Sequence, residues 1–160
     1  MPTTSKTGIL LMRHGKSDWN TESLSDHDRP LNRRGERDVP RMANLLTELQ
    51  LIPDQIVSSS AIRALTTAEA MASGLDRPAP KIEPDLYLAS SAVWTRFLNR
   101  DAARGLSLWV GHNPGLEEFI AQSTGQLIPM ATATIAWLQR EENSSEWGYR
   151  LVQVWRPKEF

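Results

Sequence analysis

The sequence predicts an α/β fold: a three-layer α/β/α sandwich whose mainly parallel sheet carries an antiparallel edge strand. Short apolar runs alternate with segments in which apolar residues recur at helical spacing, a pattern typical of parallel sheets built from β–α units. Near the C terminus, two strand-like runs flank the polar turn Glu141-Glu142-Asn143-Ser144-Ser145, which predicts an antiparallel pair. We expect one domain over residues 1–160, because this length buries about two-thirds of the unfolded surface and the sequence contains no linker or repeat.

The first predicted elements are a strand, a long loop and a helix. Four apolar residues, Ile9-Leu10-Leu11-Met12, follow Gly8 and predict a buried strand at about 8–13. The segment 16–34 is rich in Asp, Ser and Asn, so we interpret it as a loop, and its length favours a functional role. A helix is predicted to follow at about 35–50.

The remaining elements continue the alternation. A strand is predicted at 55–58, and one of the serines after it is expected to cap the next helix. Alanines and Met71 at helical spacing indicate that this helix lies at about 61–73. The other predicted helices lie at about 91–102 and 115–123, and the other predicted strands lie at about 82–84, 106–111, 131–139 and 149–155.

Composition excludes several classes of protein. The chain has 18 basic and 19 acidic residues and a formal net charge of −1, which argues against a nucleic-acid or membrane surface. It contains no cysteine, so disulfides and thiol catalysis are excluded. The segment Met1 to Thr7 has no apolar core, and no run approaches membrane-spanning length. We therefore expect a cytoplasmic location.

Arg13-His14-Gly15 directly follows the first predicted strand, where an open α/β sheet presents ligands at its carboxyl edge. A neutral imidazole is a good nucleophile near pH 7, because its unperturbed pKa is about 6.5. Arg13 is suited to donate to phosphoryl oxygens, and Gly15 is expected to let backbone and substrate approach closely. The triplet alone leaves a purely structural histidine open.

Two later segments point to the same kind of site. Arg63 falls in the first turn of the predicted helix 61–73, beside free backbone N–H groups that favour an anion. A second buried strand ends in Gly111-His112-Asn113. We expect the two strand-end histidines and the two arginines to converge on one pocket, although a solvent-exposed Arg63 is the alternative.

Together, these segments resemble the histidine phosphatase superfamily, which has the phosphoglycerate mutase-like fold. Arg13-His14-Gly15 is similar to its nucleophile motif, and Gly111-His112-Asn113 is similar to its second-histidine motif. The run Ser59-Ser60-Ala61-Ile62-Arg63-Ala64 is similar to its second-arginine motif, with Ala61 where a proline is common. The order and spacing match over nearly the whole chain.

The longer nucleophile signature of that superfamily places a phosphate-contacting asparagine at Asn20, while Lys16 replaces a glutamate of the signature. The resemblance implies that His14 is the covalent nucleophile. It also implies that the phosphate-binding residues are Arg13, Asn20, Arg63 and His112.

The segment from Asp26 to Asp38 is similar to that of SixA-like phosphohistidine phosphatases, as are the small size and the ending Trp155-Arg156-Pro157-Lys158. Larger members carry a glutamate general acid where Tyr87-Leu88-Ala89-Ser90 stands here. Because imidazole leaves more readily than an alkoxide, this departure favours phosphohistidine over alkyl phosphates. Asp18 and Asp85 are alternative acids, although a cap or surface role is the simpler interpretation.

The function predicted from these features is hydrolysis of phosphohistidine through a covalent phosphohistidine on His14, without a metal or organic cofactor. The expected partner is a phosphorylated protein rather than a nucleic acid or a membrane. Two alternatives stay open. One is a phosphatase or mutase acting on a small phosphorylated metabolite, and the other is a phospho-binding module without turnover.

Three further features carry weaker predictions. His27 lies between two aspartates, but with two of the three histidines assigned to phosphate chemistry we expect no metal site there. Trp19 follows the nucleophile segment and is expected to wall the pocket. A cluster of arginines is interpreted as a solvated helix face, or alternatively as a rim that steers a phosphorylated partner; it comprises Arg29, Arg33, Arg34, Arg37 and Arg41.

Overall fold

A computed structural model describes residues 6–20, 24–101, 105–141 and 148–160. Strands and helices alternate along the chain, with short 3₁₀ turns at Pro84–Leu86 and Pro157–Glu159. The elements are β1 (Gly8–Arg13), α1 (Arg33–Glu48), β2 (Gln55–Ser58), α2 (Ile62–Gly74), β3 (Lys81–Ile82), α3 (Ser91–Asp101), β4 (Leu106–Gly111), α4 (Gly115–Thr124), β5 (Ile135–Arg140) and β6 (Tyr149–Trp155). None of the helices in these ranges has the length and apolar character needed to cross a membrane.

The strands form a single sheet in the order β3-β2-β4-β1-β5-β6. The pairs β3–β2, β2–β4 and β4–β1 are parallel. Strand β5 runs antiparallel to both β1 and β6. This arrangement confirms the predicted mainly parallel sheet with an antiparallel edge. In register, Arg13 lies opposite Gly111, so β1 and β4 end side by side.

Alternate residues of β1 enter two separate cores, as the two-residue period of a strand requires. Leu10 and Met12 pack with α1 and α2 on one face of the sheet. Ile9 and Leu11 pack with α3 and α4 on the other face, around Trp94 and Trp109 and the aromatic residues of α4 and β6. These two apolar layers complete the α/β/α sandwich and hold the ends of β1 and β4 in place.

Two helix starts differ from the prediction. Helix α1 begins at Arg33 rather than residue 35, because the Asn32 side chain accepts the Gly35 N–H at 2.9 Å and caps the helix. The expected serine cap on α2 is wrong. Its N-cap is Ala61 without a side-chain bond, and the Ile62 N–H donates instead to the His27 carbonyl at 2.9 Å.

Two strands are shorter than predicted, and two predictions reach beyond the described residues. The strand predicted to begin at residue 131 begins at Ile135, as β5. Ala133 has a φ of +63°, which is not a strand conformation, and its N–H donates to the carbonyls of Arg13 and His14. Strand β3 ends at Ile82, and residue 84 begins a 3₁₀ turn. Residue 102 and most of the predicted turn 141–145 fall outside the described ranges.

Candidate active site

Two histidines meet at the carboxyl edge of the sheet. Because β1 and β4 end in register, His14 and His112 emerge next to each other, with ring centroids 5.2 Å apart. The His14 N–H donates to the Gly111 carbonyl at 3.1 Å, which ties the two strand ends together. The predicted convergence of these side chains is therefore present in the fold.

His14 and His112 line a cavity of about 280 Å³. Its wall combines strand ends, the first turn of α2 and the loop before α1. The described lining residues are Arg13, His14, Lys16, Ser17, Trp19, Asp26, Arg29, Arg63, Leu88, His112, Asn113 and Thr132. This wall is strongly basic, so an anionic ligand matches it best.

The His14 ring has a defined tautomer. Its Nδ1 lies 2.7 Å from the Gly15 carbonyl oxygen, and because a carbonyl can only accept, Nδ1 carries the proton and Nε2 keeps its lone pair. Burial, with smaller contributions from the positive charges of Arg63 and Arg13, lowers the pKa of His14 to about 4, although the hydrogen bond to Gly15 opposes this shift. His14 is thus a neutral imidazole at pH 7 with Nε2 available as a nucleophile.

His112 is held from the opposite ring nitrogen. Its Nε2 lies 2.8 Å from Ser59 Oγ, which also accepts the Ala61 N–H at 3.2 Å. Of these two contacts of Ser59 Oγ, His112 Nε2 is the one that can accept the hydroxyl proton, and with Nε2 as the acceptor the ring proton lies on Nδ1. That Nδ1 is buried without a hydrogen-bond partner in the described structure. Burial, followed by the neighbouring His14, lowers the pKa of His112 to about 3.

Two arginines complete the basic wall. Arg63 lies in the first turn of α2 and is 3% exposed. Arg13 donates to the Met130 carbonyl at 3.1 Å, and burial lowers its pKa, although Glu117 opposes that shift. The Nε atoms of both side chains are buried and have no partner among the described residues, so each guanidinium retains donor capacity toward a ligand.

The sequence profile of the histidine phosphatase superfamily (branch 1) matches residues 9–96, which is more than half of the chain. The chain belongs to this superfamily. Phosphoryl transfer, as a phosphatase or a mutase, is accordingly its class of activity.

The chain is also similar to three individual proteins. An uncharacterized chloroplastic protein of Arabidopsis thaliana is 31% identical over 94% of this chain and 74% of that protein. The structure of the protein histidine phosphatase SixA complexed with tungstate is similar with a TM-score of 0.82 at 22% identity, over 96% of this chain and 99% of that one. The fold is therefore SixA-like. A 2,3-bisphosphoglycerate-dependent phosphoglycerate mutase of Cutibacterium acnes is 38% identical over 71 residues, 43% of this chain and 28% of the mutase.

Asn20, predicted from the superfamily signature to contact phosphate, does not line the cavity. Its N–H donates to the Asp18 carboxylate at 2.8 Å, and both residues line a separate depression beside Asn32 and Arg33. Ser17 pairs with Leu31, and the chain that follows leads to the depression that Asn20 lines. Lys16, which replaces the glutamate of the superfamily signature, does line the cavity.

Neither carboxylate considered as a general acid is at the site. Asp18 lines the other depression, and Asp85 lies on the exposed 3₁₀ turn. Where larger superfamily members were expected to carry a glutamate, Leu88 lines the cavity with 55% of its surface exposed. Trp19 also lines the cavity, as predicted, and its ring lies under the Arg29 guanidinium at 3.5 Å.

Asp26 is a charged cavity residue whose place at the site was not predicted from the sequence. Its carboxylate accepts from Arg29 at 2.9 Å, from Arg63 at 3.0 Å and from the Tyr87 hydroxyl. The Tyr87 hydrogen bond, followed by those from the two arginines, holds the pKa of Asp26 well below the usual carboxyl range. Its only signal in the sequence is its place in the segment shared with SixA-like proteins.

Gly15 packs closely against α1. A Cβ added there would lie 2.9 Å from Val39 Cγ2 and 3.2 Å from the Gly35 Cα, so the absence of a side chain allows this packing; the predicted close approach of substrate stays a prediction. The Gly15 N–H donates to the buried Thr67 Oγ1 at 3.0 Å. The segment bearing the nucleophile is therefore fixed from both helices of one layer.

His27 contacts protein groups through both ring nitrogens. Its Nε2 lies 2.9 Å from Ser60 Oγ, and its Nδ1 lies 3.4 Å from Asp28. Within the described ranges, the histidine, aspartate and glutamate side chains form no group of three or more that is arranged to hold a metal ion.

Proposed function

We propose that this protein is a phosphatase that hydrolyses phosphohistidine through a covalent phosphohistidine on His14. The observation that carries the proposal is the hydrogen bond from His14 Nδ1 to the Gly15 carbonyl at 2.7 Å, which leaves Nε2 unprotonated inside a basic cavity. Nucleophilic catalysis of this kind divides one difficult transfer into two easier steps.

In the first step, His14 Nε2 attacks phosphorus while the bond between phosphorus and the leaving nitrogen breaks, and the bond pair goes to that nitrogen. Arg13, Arg63 and the Nδ1–H of His112 donate to the three equatorial oxygens. In the second step, water attacks phosphorus while the bond between phosphorus and His14 Nε2 breaks. The bond pair returns to Nε2, phosphate is released, and the water proton passes to solvent. Each fixed donor is expected to contribute about 10²–10³ in kcat.

The leaving-group argument supports phosphohistidine as the substrate. An alkoxide needs a proton as it leaves, and general acid catalysis supplies about 10²–10⁴ in rate. Leu88 lines the wall in the segment where larger superfamily members carry the acid. The carboxylate that does line the cavity, Asp26, is engaged by Arg63, Arg29 and Tyr87. Imidazole departs without such a donor.

Access to the cavity supports a protein as the phosphorylated partner. Trp19 is 68% exposed and Leu88 is 55% exposed, and both lie on the cavity wall. These residues give the cavity an apolar, open mouth that a side chain on a large partner can enter.

A comparison of substrates tests the proposal. Hydrolysis of a phosphohistidine peptide, an aryl phosphate and glycerol phosphate is measured under identical conditions, and we expect the first two to react while the third is nearly inert. Radiolabelled phosphate should be trapped on the wild-type protein in an acid-labile, base-stable form and be absent from His14→Ala. Equal rates on alkyl phosphate and phosphohistidine would contradict the proposal, as would turnover by His14→Ala.

The second candidate is a phosphatase or mutase acting on a small phosphorylated metabolite. It is favoured by the match of 71 residues of the chain to a phosphoglycerate mutase. If this candidate is right, alkyl phosphates will be the better substrates. A loss of about 100-fold in Asp18→Asn or Asp85→Asn would show that the carboxylate acts as a general acid despite its place outside the cavity. We expect neither variant to change the phosphohistidine rate greatly.

A further inference from the structure

Asp26 places a negative charge in a cavity built for anions. Among the lining residues that the structure describes, it is the one acidic side chain. Its main chain is fixed over the start of α2: the Ile62 N–H donates to the His27 carbonyl, and Arg63 donates to the Asp26 carbonyl at 2.6 Å. The carboxylate retains 43% side-chain exposure, so part of it stays open to a ligand.

This carboxylate is a poor proton donor. The Tyr87 hydroxyl and two guanidinium groups all donate to it, and they stabilise the charged form, so the pKa of Asp26 is held well below its usual range. At neutral pH it can accept a hydrogen bond from a ligand but has no proton to give to a leaving oxygen.

Asp26 also lies apart from the nucleophile. The His14 ring contacts His112 at 5.2 Å between centroids, His112 contacts Tyr87 at 5.5 Å, and the Tyr87 hydroxyl reaches the carboxylate. Two rings thus lie between Asp26 and His14 in this chain of contacts, and Arg63 is bonded to Asp26. In-line attack by His14 puts the leaving group on the opposite side of phosphorus, and Asp26 is the acidic side chain among the described lining residues that could meet it there.

We propose that Asp26 is a specificity-determining residue whose carboxylate accepts the N–H of a positively charged imidazolium leaving group. This inference rests on the proposed phosphohistidine phosphatase function and names how the site selects that substrate. In phosphohistidine, one ring nitrogen bears phosphorus and the other can carry a proton. A carboxylate at that second nitrogen stabilises the protonated ring.

The step balances without an external acid. The bond from His14 Nε2 to phosphorus forms, the bond from phosphorus to the substrate nitrogen breaks, and its electron pair neutralises the positive ring. Imidazole leaves neutral, with its proton still on the nitrogen bonded to Asp26. An alkyl phosphate presents no cation to the carboxylate and receives no proton from it, so the same group discriminates against esters.

The test compares Asp26→Asn with the matched control Asp28→Asn. The control also removes one carboxylate charge, two residues along the chain, but the Asp28 side chain is exposed and does not line the cavity. The readout is the ratio of kcat/KM for a phosphohistidine peptide to that for an aryl phosphate, whose leaving group is not cationic. We expect the ratio to fall about 10- to 100-fold in Asp26→Asn, the scale of a hydrogen bond to a charged group. The ratio should be unchanged in Asp28→Asn.

Two further measurements separate this role from positioning of Arg63. Inhibition by inorganic phosphate reports the oxygen-binding groups and should stay within about threefold of wild type, as expected when a charge-assisted bond to the leaving group alone is lost. The basic limb of the pH profile for phosphohistidine should move to lower pH, because the variant no longer favours the protonated ring. If Asp26→Asn does not fold, Asp26→Ala should give the same fall in the ratio.

Three results would overturn the inference. Equal losses on both substrates, together with weaker phosphate inhibition, would assign Asp26 only to the positioning of Arg63. An unchanged ratio would remove it from substrate selection. Wild-type protein that does not hydrolyse phosphohistidine at all would instead reject the proposed function, a failure visible before any Asp26 variant is made.

Discussion

The carboxyl ends of β1 and β4 each present a histidine beside a glycine, His14 before Gly15 and His112 after Gly111. Both side chains are buried, at 6% and 2% exposure, and burial lowers the pKa of each, to about 4 for His14 and about 3 for His112. By position, burial and charge, the histidines at these two strand ends are nearly equivalent.

The two histidines differ in which ring nitrogen is hydrogen-bonded to the protein and in the group that binds it. A carbonyl, which only accepts, binds His14 at Nδ1, whereas a hydroxyl that already accepts from Ala61 binds His112 at Nε2. The first arrangement leaves a lone pair facing the cavity, and the second leaves an N–H. One imidazole is prepared to attack phosphorus and the other to donate to its oxygens, so the hydrogen-bond partner, more than the motif, distinguishes their roles.

The largest loss of activity is expected for substitution of His14, the histidine at the end of β1. His14→Ala removes the lone pair, and kcat should fall by about 10⁴-fold or more, the scale for loss of a nucleophile. Phosphate release from an aryl phosphate measures it, with a circular dichroism melt to verify folding. Residual activity within tenfold of wild type would mean that another group attacks phosphorus.

A smaller loss is expected at β4. His112→Ala removes an oxygen donor but not the nucleophile, so kcat should fall by about 10²–10³ while a phospho-His14 species still forms. Rapid-quench labelling checks this point, because the label should accumulate slowly on His112→Ala and never on His14→Ala. Loss of labelling in both variants would erase the distinction between the two histidines.

Ser59→Ala tests the tautomer of His112 directly. Without the hydroxyl, nothing favours the proton on Nδ1, and we expect kcat to fall by about tenfold, equivalent to the net value of a typical hydrogen bond. Ser58→Ala is the matched control, since the Ser58 hydroxyl is equally buried but donates to the Ser59 carbonyl. Equal losses of activity in both variants would point to general disturbance of the segment.

The smallest effect concerns stability and pH. Because both histidines have folded-state pKa values below the ordinary 6.5, the unfolded chain binds more protons, and stability is lost as pH falls from about 6.5 toward 4. Each histidine contributes a slope of at most about 1.4 kcal/mol per pH unit. Urea unfolding at pH 7, 6 and 5 measures the slope, which should be lower in His14→Ala. An unchanged slope in that variant would mean that His14 is not held neutral by the fold.

The sequence predicts the sheet and both histidines because each depends on local patterns. Apolar runs of strand length lead into each histidine, and the parallel alternation brings their carboxyl ends to one edge. Asp26 is different, because its contacts join residues 26, 63 and 87 across the chain, and no periodicity records such pairs. The place of Asn20 outside the cavity could not be predicted for a related reason, because the position of a loop residue does not follow from its spacing to the strand before it.

The packing of Gly15 decides how the nucleophile segment opens to solvent. Its amide proton is bonded to Thr67 inside α2, and its Cα lies against α1, so exchange of that proton with deuterium requires the two helices to separate. Its exchange protection should therefore approach that of the deepest strands, while the amide of Asn20, bonded to the partly exposed Asp18, exchanges by local fraying. Within six residues of chain, a slowly exchanging amide is thus expected close to a rapidly exchanging one.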